Sequence, residues 1–256
     1  MARGPAPDDA ELFADAELPR LRTAVAELAW LLDRGYAERS ALELVGNRHG
    51  LRARQRTAVL RCVCSDAQLE RRRAHRIELD AVAGRPLALD GFNVLIVVES
   101  ALAGGVLLRG RDRFLRDMAS VHGSYRRAEQ TLTASVAIGE RLAALAPSSV
   151  TWLLDRPVSN SGRLAAALAE LAAERGWPWT IELDYHPDRR LAGFEGVVAT
   201  GDAWILDHAA QIVDLADAVI GACCPAAWVV DLDEESCQQP VVESGASDRA
   251  GIFVEG

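Results

Sequence analysis

The sequence predicts an α/β protein in which a helical N-terminal part precedes a three-layer α/β/α domain with a mainly parallel sheet. Three observations carry this. Apolar residues recur at three and four positions from Leu18 to about His75, the spacing of one helix face. From Pro86 to Val230, short apolar strands alternate with amphipathic helices, the pattern of a parallel sheet covered on both faces. The chain has 256 residues, half of them apolar and a quarter charged, which suffices for a buried core without disulfide staples.

Residues 1–17 are rich in Pro and Asp and are expected to be disordered. The helical domain spans 18–80. Leu21, Val25, Leu28 and Leu32 mark its first helix, with Gly35 as the C-terminal turn residue. Ser40 can cap a second helix over Ala41–Val45, ended by Gly46-Asn47. A third runs through Gln55, Val59 and Val63 into the charged stretch Glu70–Arg76, and the set resembles a helix-turn-helix arrangement. Gly84-Arg85-Pro86 is a break. Then come a strand Leu87–Leu89 ending at Asp90, a helix Asn93–Leu102 closed by Gly104-Gly105, and a short strand Val106–Leu108. Helix Ala128–Leu145, strand Val150–Leu154 ending at Asp155, helix Leu164–Arg175 and strand Thr180–Leu183 follow. Strand Gly196–Ala199 leads into Thr200-Gly201-Asp202, helix Ala203–Gln211, strand Ala218–Ile220 and a last strand Trp228–Val230. The α/β domain thus covers 86–230, and residues 231–256 form an acidic, loose tail.

Composition removes several classes. All 28 basic residues are Arg, so a Walker A lysine, a Schiff-base lysine and the ATP-contacting lysine of a protein kinase are excluded. No apolar run approaches the ~20 residues of a membrane helix, and the acidic N-terminus reads as neither signal nor transit peptide. The five Cys form no CxxC and read as free thiols of a reduced compartment, so the expected location is cytoplasmic. The net charge of −9 hides an asymmetry: 20–76 carries about +7 and 77–256 about −12. A basic block on an acidic body points to nucleic acid, with a solvated Arg-rich helical surface as the plainer alternative.

The chemistry lies at the strand ends. Asp90, Asp155 and Asp202 each follow a strand, and in an open parallel sheet those ends share one edge, where ligands bind. Converging carboxylates repel one another unless a cation sits among them, and Mg²⁺ or Mn²⁺ is the usual ion for an all-oxygen site. Such an ion can bind a phosphodiester and activate water. Asn93 can hydrogen-bond a metal water or a phosphate oxygen. Each Asp can equally be a helix N-cap. In Val121–Arg126, His122 is a candidate general acid or base and Arg126 a phosphate ligand, while His122 is also compatible with a structural role. Ser159, Asn160, Ser161 and Arg163 sit between a strand and a helix, suited to an anion at the helix N-terminus or to a capping loop with Ser161 as N-cap. Trp177-Pro178-Trp179 is a weaker candidate for stacking on a base.

Leu89-Asp90-Gly91-Phe92-Asn93-Val94-Leu95 resembles the first-strand motif of the PIN-like and NYN nucleases. Val198-Ala199-Thr200-Gly201-Asp202 resembles their late Thr-x-Asp strand end, and Trp152-Leu153-Leu154-Asp155 their middle acidic strand. The resemblance implies a PIN-like metal-dependent ribonuclease fold with Asp90, Asp155 and Asp202 as Mg or Mn ligands. No motif matches the further acidic residue those families carry between middle and late strands; Glu99 and Asp117 are the candidates. Leu32–Tyr36, Leu44–Arg48, Val121–Arg126 and Asp155–Leu164 also resemble an uncharacterised prokaryotic family of the domain-of-unknown-function 434 type, with a helical N-terminal part and a PIN-like C-terminal part. The expected function is a metal-dependent nuclease, a ribonuclease first, that grips RNA through the Arg-rich domain, with a homodimer plausible. The alternative is a degenerate PIN-like module that binds RNA or protein without cleaving.

Overall fold

The computed structural model describes residues 3–119 and 129–233. Its first segment corrects the expectation of disorder within residues 1–17 for the described residues 3–17. Helix α1 (Asp9–Leu12) and a 3₁₀ turn at Asp15–Glu17 pack onto the body. Leu12 and Phe13 are buried, Arg54 pairs with the buried Asp9, and Arg3 reaches Glu99 at 2.6 Å. Two apolar side chains and two ion pairs are what the Pro- and Asp-rich composition conceals.

Helix α2 (Leu18–Asp33) buries Leu21, Ala24, Val25, Leu28 and Leu31 along one stripe. Gly35 turns the chain beyond it at φ +76°, a conformation that costs glycine least. Ser40 lies inside α3 (Glu38–Arg48) and Ala37 takes the N-cap place. The third predicted helix is two, α4 (Ala53–Cys62) and α5 (Asp66–His75). Ser65 caps α5: its Oγ accepts from the Gln68 N–H at 3.2 Å, while Gln68 Oε1 accepts from the Ser65 N–H at 3.0 Å.

Beyond Gly84 the elements are β1 (Pro86–Asp90), α6 (Gly91–Leu102), β2 (Leu107–Arg109), β3 (Leu115–Asp117), α7 (Thr131–Leu145), β4 (Ser149–Asp155), α8 (Ser161–Arg175), β5 (Trp179–Asp184), α9 (Pro187–Ala192), β6 (Val197–Ala199), α10 (Ala203–His208), β7 (Ile212–Val213), α11 (Leu215–Cys223) and β8 (Val229–Asp231). The α/β expectation holds. A five-stranded, wholly parallel sheet has the order β5-β4-β1-β6-β7. The strand Ala218–Ile220 is a correction: those residues belong to α11, and the fifth strand is the two-residue β7. Leu215, Ala216, Val219 and Ile220 are the buried set, a helical and not an alternating spacing.

Alternation along β1 shows the layers. Leu87 and Leu89 face a core built with α6, α7, α8 and α11, while Ala88 faces a smaller one with α9 and α10. A second sheet, β3-β2-β8, ties in the helical part. Its Leu107 and Leu115 enter the α/β core, whereas Leu108, Val230 and Leu232 complete the core of α2, α3 and α4. The helices of 18–80 therefore close their core on residues that come much later in the chain. Asp231, Leu232 and Asp233, assigned by sequence to a loose tail, lie in or beside β8, with Leu232 and Asp233 buried; residues 234–256 lie outside the described residues. Among the described residues, no helix is long and apolar enough to cross a membrane.

Candidate active site

The sheet order reverses direction at β1. From β1 the chain crosses to β4 and β5 on one side, then returns to β6 and β7 on the other. Beyond the carboxyl ends of β1 and β6 such a reversal leaves a crevice between diverging connections. There the structure has an open cleft of about 540 Å³, lined by Asp90, Asp155, Asp188 and Asp202 and, from the opposite side, by Leu60, Arg61, Arg116 and Asp117.

Asp90 ends β1, is 9% exposed, and makes no capping bond to α6. Its Oδ2 accepts from the Thr200 hydroxyl at 2.9 Å. Burial pushes the Asp90 carboxyl up to about 7; the Thr200 bond opposes this, and Asp202, Asp188 and Asp155 add to it. Burial and then Asp188 raise Asp155, and desolvation followed by Asp202 raises Asp188. The four carboxylates thus repel one another across one cleft.

The strand end that carries Asp202 is clamped. The Gly201 N–H donates to Asn93 Oδ1 at 2.7 Å, and Arg116 Nε donates to the Gly201 carbonyl at 3.0 Å. A Cβ on Gly201 would stand 2.8 Å from the Leu115 carbonyl oxygen, so the approach requires glycine. Gly91 is similarly confined, with the Leu153 carbonyl 2.9 Å from where a Cβ would lie, which lets α6 start tight against β4. Asn93 therefore holds the Asp202 loop. Asp202 is an N-cap as well: its Oδ1 accepts from Trp204 and Ile205 N–H at 2.9 and 3.1 Å.

A model for a domain of unknown function (DUF5616) matches residues 79–218, more than half of the chain and the stretch that holds all four carboxylates. The chain belongs to the DUF5616 family. A second model, for a protein of unknown function (DUF434), matches residues 20–75, the helical part. The uncharacterized protein MJ0935 of Methanocaldococcus jannaschii is 29% identical over 197 residues, covering 76% of this chain and 94% of that protein. No solved structure matches significantly.

Within the DUF5616 region the structure brings Asp90, Asn93, Asp155 and Asp202 to one cleft, and adds Asp188, which sequence reasoning missed. Its signal was Pro187, a residue that favours the first turn of a helix, three positions after the strand end at Asp184. Of the two carboxylates considered in its place, Asp117 lines the cleft beside Arg61, whereas Glu99 is fully buried on α6 with Arg3 and the Thr131 hydroxyl and is no part of it. Ser159, Asn160, Ser161 and Arg163 are not among the cleft's lining. Ser161 is the first residue of α8, and its hydroxyl donates to the Arg156 carbonyl at 3.2 Å instead of capping; Asn160 takes the N-cap place at φ +70°. Arg156 lies over the Tyr185 ring at 5.4 Å. His122 and Arg126 lie outside the described residues. Cys62 and Cys64 are buried free thiols, raised by that burial to about 12 and about 11, which makes them poor nucleophiles. Cys223 and Cys224 are also unbridged, and Cys237 lies outside the described residues.

The all-oxygen donor set of the cleft is the chemistry that a hard divalent cation prefers. As the side chains stand, no three Asp, Glu, His or Cys among the described residues are grouped to hold a metal ion. A cation there would have to draw the carboxylates together or be completed by water and substrate oxygens, as Mg²⁺ commonly is.

Proposed function

We propose that this protein is a PIN-like, Mg²⁺- or Mn²⁺-dependent nuclease, with RNA as its first substrate class. One observation carries the reading: Asp90, Asp155, Asp188 and Asp202 share a cleft at the point where the sheet order reverses, and burial, with the three neighbouring carboxylates adding to it, raises Asp90 to about 7. Asp90 is the buried member of the four, and a buried carboxylate beside like charges costs stability and persists where a cation or a reaction needs it. Asp90, Asp155 and Asp188 would hold the ion. The ion would supply Lewis acidity toward a phosphodiester and a hydroxide at neutral pH. Asn93 and Arg116 keep the Gly201-Asp202 peptide in position, and Arg61, beside Asp117, is a second cation on the facing wall.

The test is cleavage of a mixed single-stranded RNA pool with Mn²⁺, Mg²⁺ or EDTA, wild type beside Asp90→Asn and Asp188→Asn. Metal-dependent cutting lost in both variants is the expected result. Cutting that survives both would mean that the site is misassigned. A second reading, a module that binds RNA or protein without cleaving, is favoured by one detail, the commitment of the Asp202 carboxylate to capping α10. RNA retained without metal and never cut would decide for it.

A further inference from the structure

A second, shallower pocket of about 400 Å³ adjoins the cleft and shares Asp155 and Asp188 with it. Tyr185 and Trp204 line it, each on the segment that follows a strand end, and they are 64% and 45% exposed. Single exposed aromatics are common, but two lining one pocket beside a carboxylate cluster form a patch with a purpose to be explained. The other tryptophans of the sheet are used internally. Trp177 stacks on Trp179 at 4.8 Å, and Trp179 lies 5.1 Å from the fully buried Trp152. That spends the Trp177-Pro178-Trp179 segment on packing, whereas Tyr185 and Trp204 turn to solvent beside the cleft, as Trp30 and Tyr36 do on the helical part.

Both rings are pre-set. His208 stacks on Trp204 at 4.2 Å and 22°, with its Nδ1 2.7 Å from the Trp204 carbonyl, and the Arg156 guanidinium lies over Tyr185. A ring already held in orientation loses less freedom when a ligand lands on it. The pocket carries Arg189 and His186 at its edge, cationic and hydrogen-bonding groups suited to phosphate and sugar oxygens. We propose that Tyr185 and Trp204 form a stacking subsite for an unpaired nucleobase, placed so that the backbone of the same strand runs across Asp155 and Asp188 into the carboxylate cleft. Only an unpaired base can offer its face to a side chain, since in a duplex its neighbours cover it. The substrate class is therefore a single strand, and this inference rests on the nuclease reading for the position of the strand but not for the stacking itself.

The test is fluorescence anisotropy with a short labelled single-stranded RNA, its duplex and an abasic strand of equal length, in EDTA and in Ca²⁺. Wild type, Tyr185→Ala/Trp204→Ala and Tyr185→Phe/Trp204→Phe are compared, with unchanged thermal midpoints as the folding control for these exposed positions. The expected result is preference for the base-bearing single strand, weakened on the order of tenfold per ring lost in the alanine variant and retained in the phenylalanine variant. Equal affinity for the abasic strand, or alanine variants that bind like wild type, would overturn the subsite. Absence of binding to any strand would overturn it too and return the rings to a protein contact. Metal-dependent cleavage is measured in parallel. Cleavage lost in Asp90→Asn with binding indifferent to the rings sinks the subsite alone, whereas ring-dependent binding without cleavage under any metal sinks the nuclease reading alone.

Discussion

At the residue scale, Asp90 is where the proposed function and stability oppose each other. Its carboxyl has an ordinary value of 3.8 and is raised to about 7 in the fold. Between those values the native chain holds a proton that the unfolded chain has released, so stability falls as pH rises from about 4 to about 7 and stays lowered above that. The full shift corresponds to about 4 kcal/mol. Asp90→Asn keeps an acceptor for Thr200 and removes the charge. We expect a higher thermal midpoint than wild type at about pH 8, a flatter pH profile below about pH 7, and loss of the proposed metal-dependent cleavage; calorimetry across pH in EDTA checks the first two. Gly201→Ala should act in the opposite sense. Its Cβ would meet the Leu115 carbonyl at 2.8 Å and crowd Asn93 Oδ1 at 3.3 Å, which should cost about 1–3 kcal/mol and reduce any activity that depends on Asp202. Asp90 and Asp155 were legible because each is the last residue of its strand, and Asp202 because it follows β6 within the short Thr200-Gly201-Asp202 turn that caps α10. Asp188 was not, because β5 ends at Asp184, a carboxylate occupied by the His186 N–H and by Arg190, and the cleft carboxylate arrives only after the turn into α9.

At the element scale, the helices were legible by period and their boundaries by caps, except where one apolar stripe ran through a break. Val59 and Val63 continue the face of α4 toward α5, so the two read as one helix. The capping box of Ser65 and Gln68 is the physical divider and was present in the sequence. Ser65→Ala should cost about 1 kcal/mol, measurable as a lowered denaturant midpoint without a change of slope. The exchange of a strand for α11 has a different cause. A run as short as Ala218–Ile220 carries no decisive period, and the signal lay in Asp214, whose side chain caps α11 by accepting from the Asp217 N–H at 2.9 Å. The strand that completes the sheet has two residues, Ile212 and Val213, too few to show alternation.

At the scale of the whole molecule, the charge asymmetry along the chain is partly paired inside the fold. Arg72, fully buried on α5, pairs with Asp112 at 2.6 Å and with Asp207 at 2.7 Å; Arg116 meets the same Asp112 at 2.6 Å. Arg61 and Arg111 reach Asp117 and Asp66, and Arg22 donates to the Asp231 carbonyl. Part of the basic block therefore binds the acidic body of its own chain through Arg61 and Arg72, which a linear count of charges cannot distinguish from a block awaiting nucleic acid. The Arg72–Asp112–Arg116 lock also reaches the cleft, since Arg116 donates to the Gly201 carbonyl beside Asp202. Burial alone would raise Asp112, but Arg116 and Arg72 outweigh it and hold the carboxyl down to about 2. That contribution is present above the unfolded value near 4 and is lost as pH falls through about 2. Arg72→Ala leaves Asp112 and Asp207 buried without their shared partner and should cost about 3–5 kcal/mol. It should also move acid unfolding to higher pH, whereas Arg71→Ala, an exposed neighbour on the same helix, should do neither. If the lock positions the cleft, Arg116→Lys should disturb the site more than the fold. It keeps the charge for Asp112 but loses the fork that reaches Gly201. The stabilisation by Mg²⁺ or Mn²⁺ expected of wild type, about 2.7 kcal/mol at a hundredfold excess over Kd, should then shrink in Arg116→Lys and vanish in Asp90→Asn/Asp188→Asn. Equal midpoint shifts in all three proteins would show that the cation acts elsewhere.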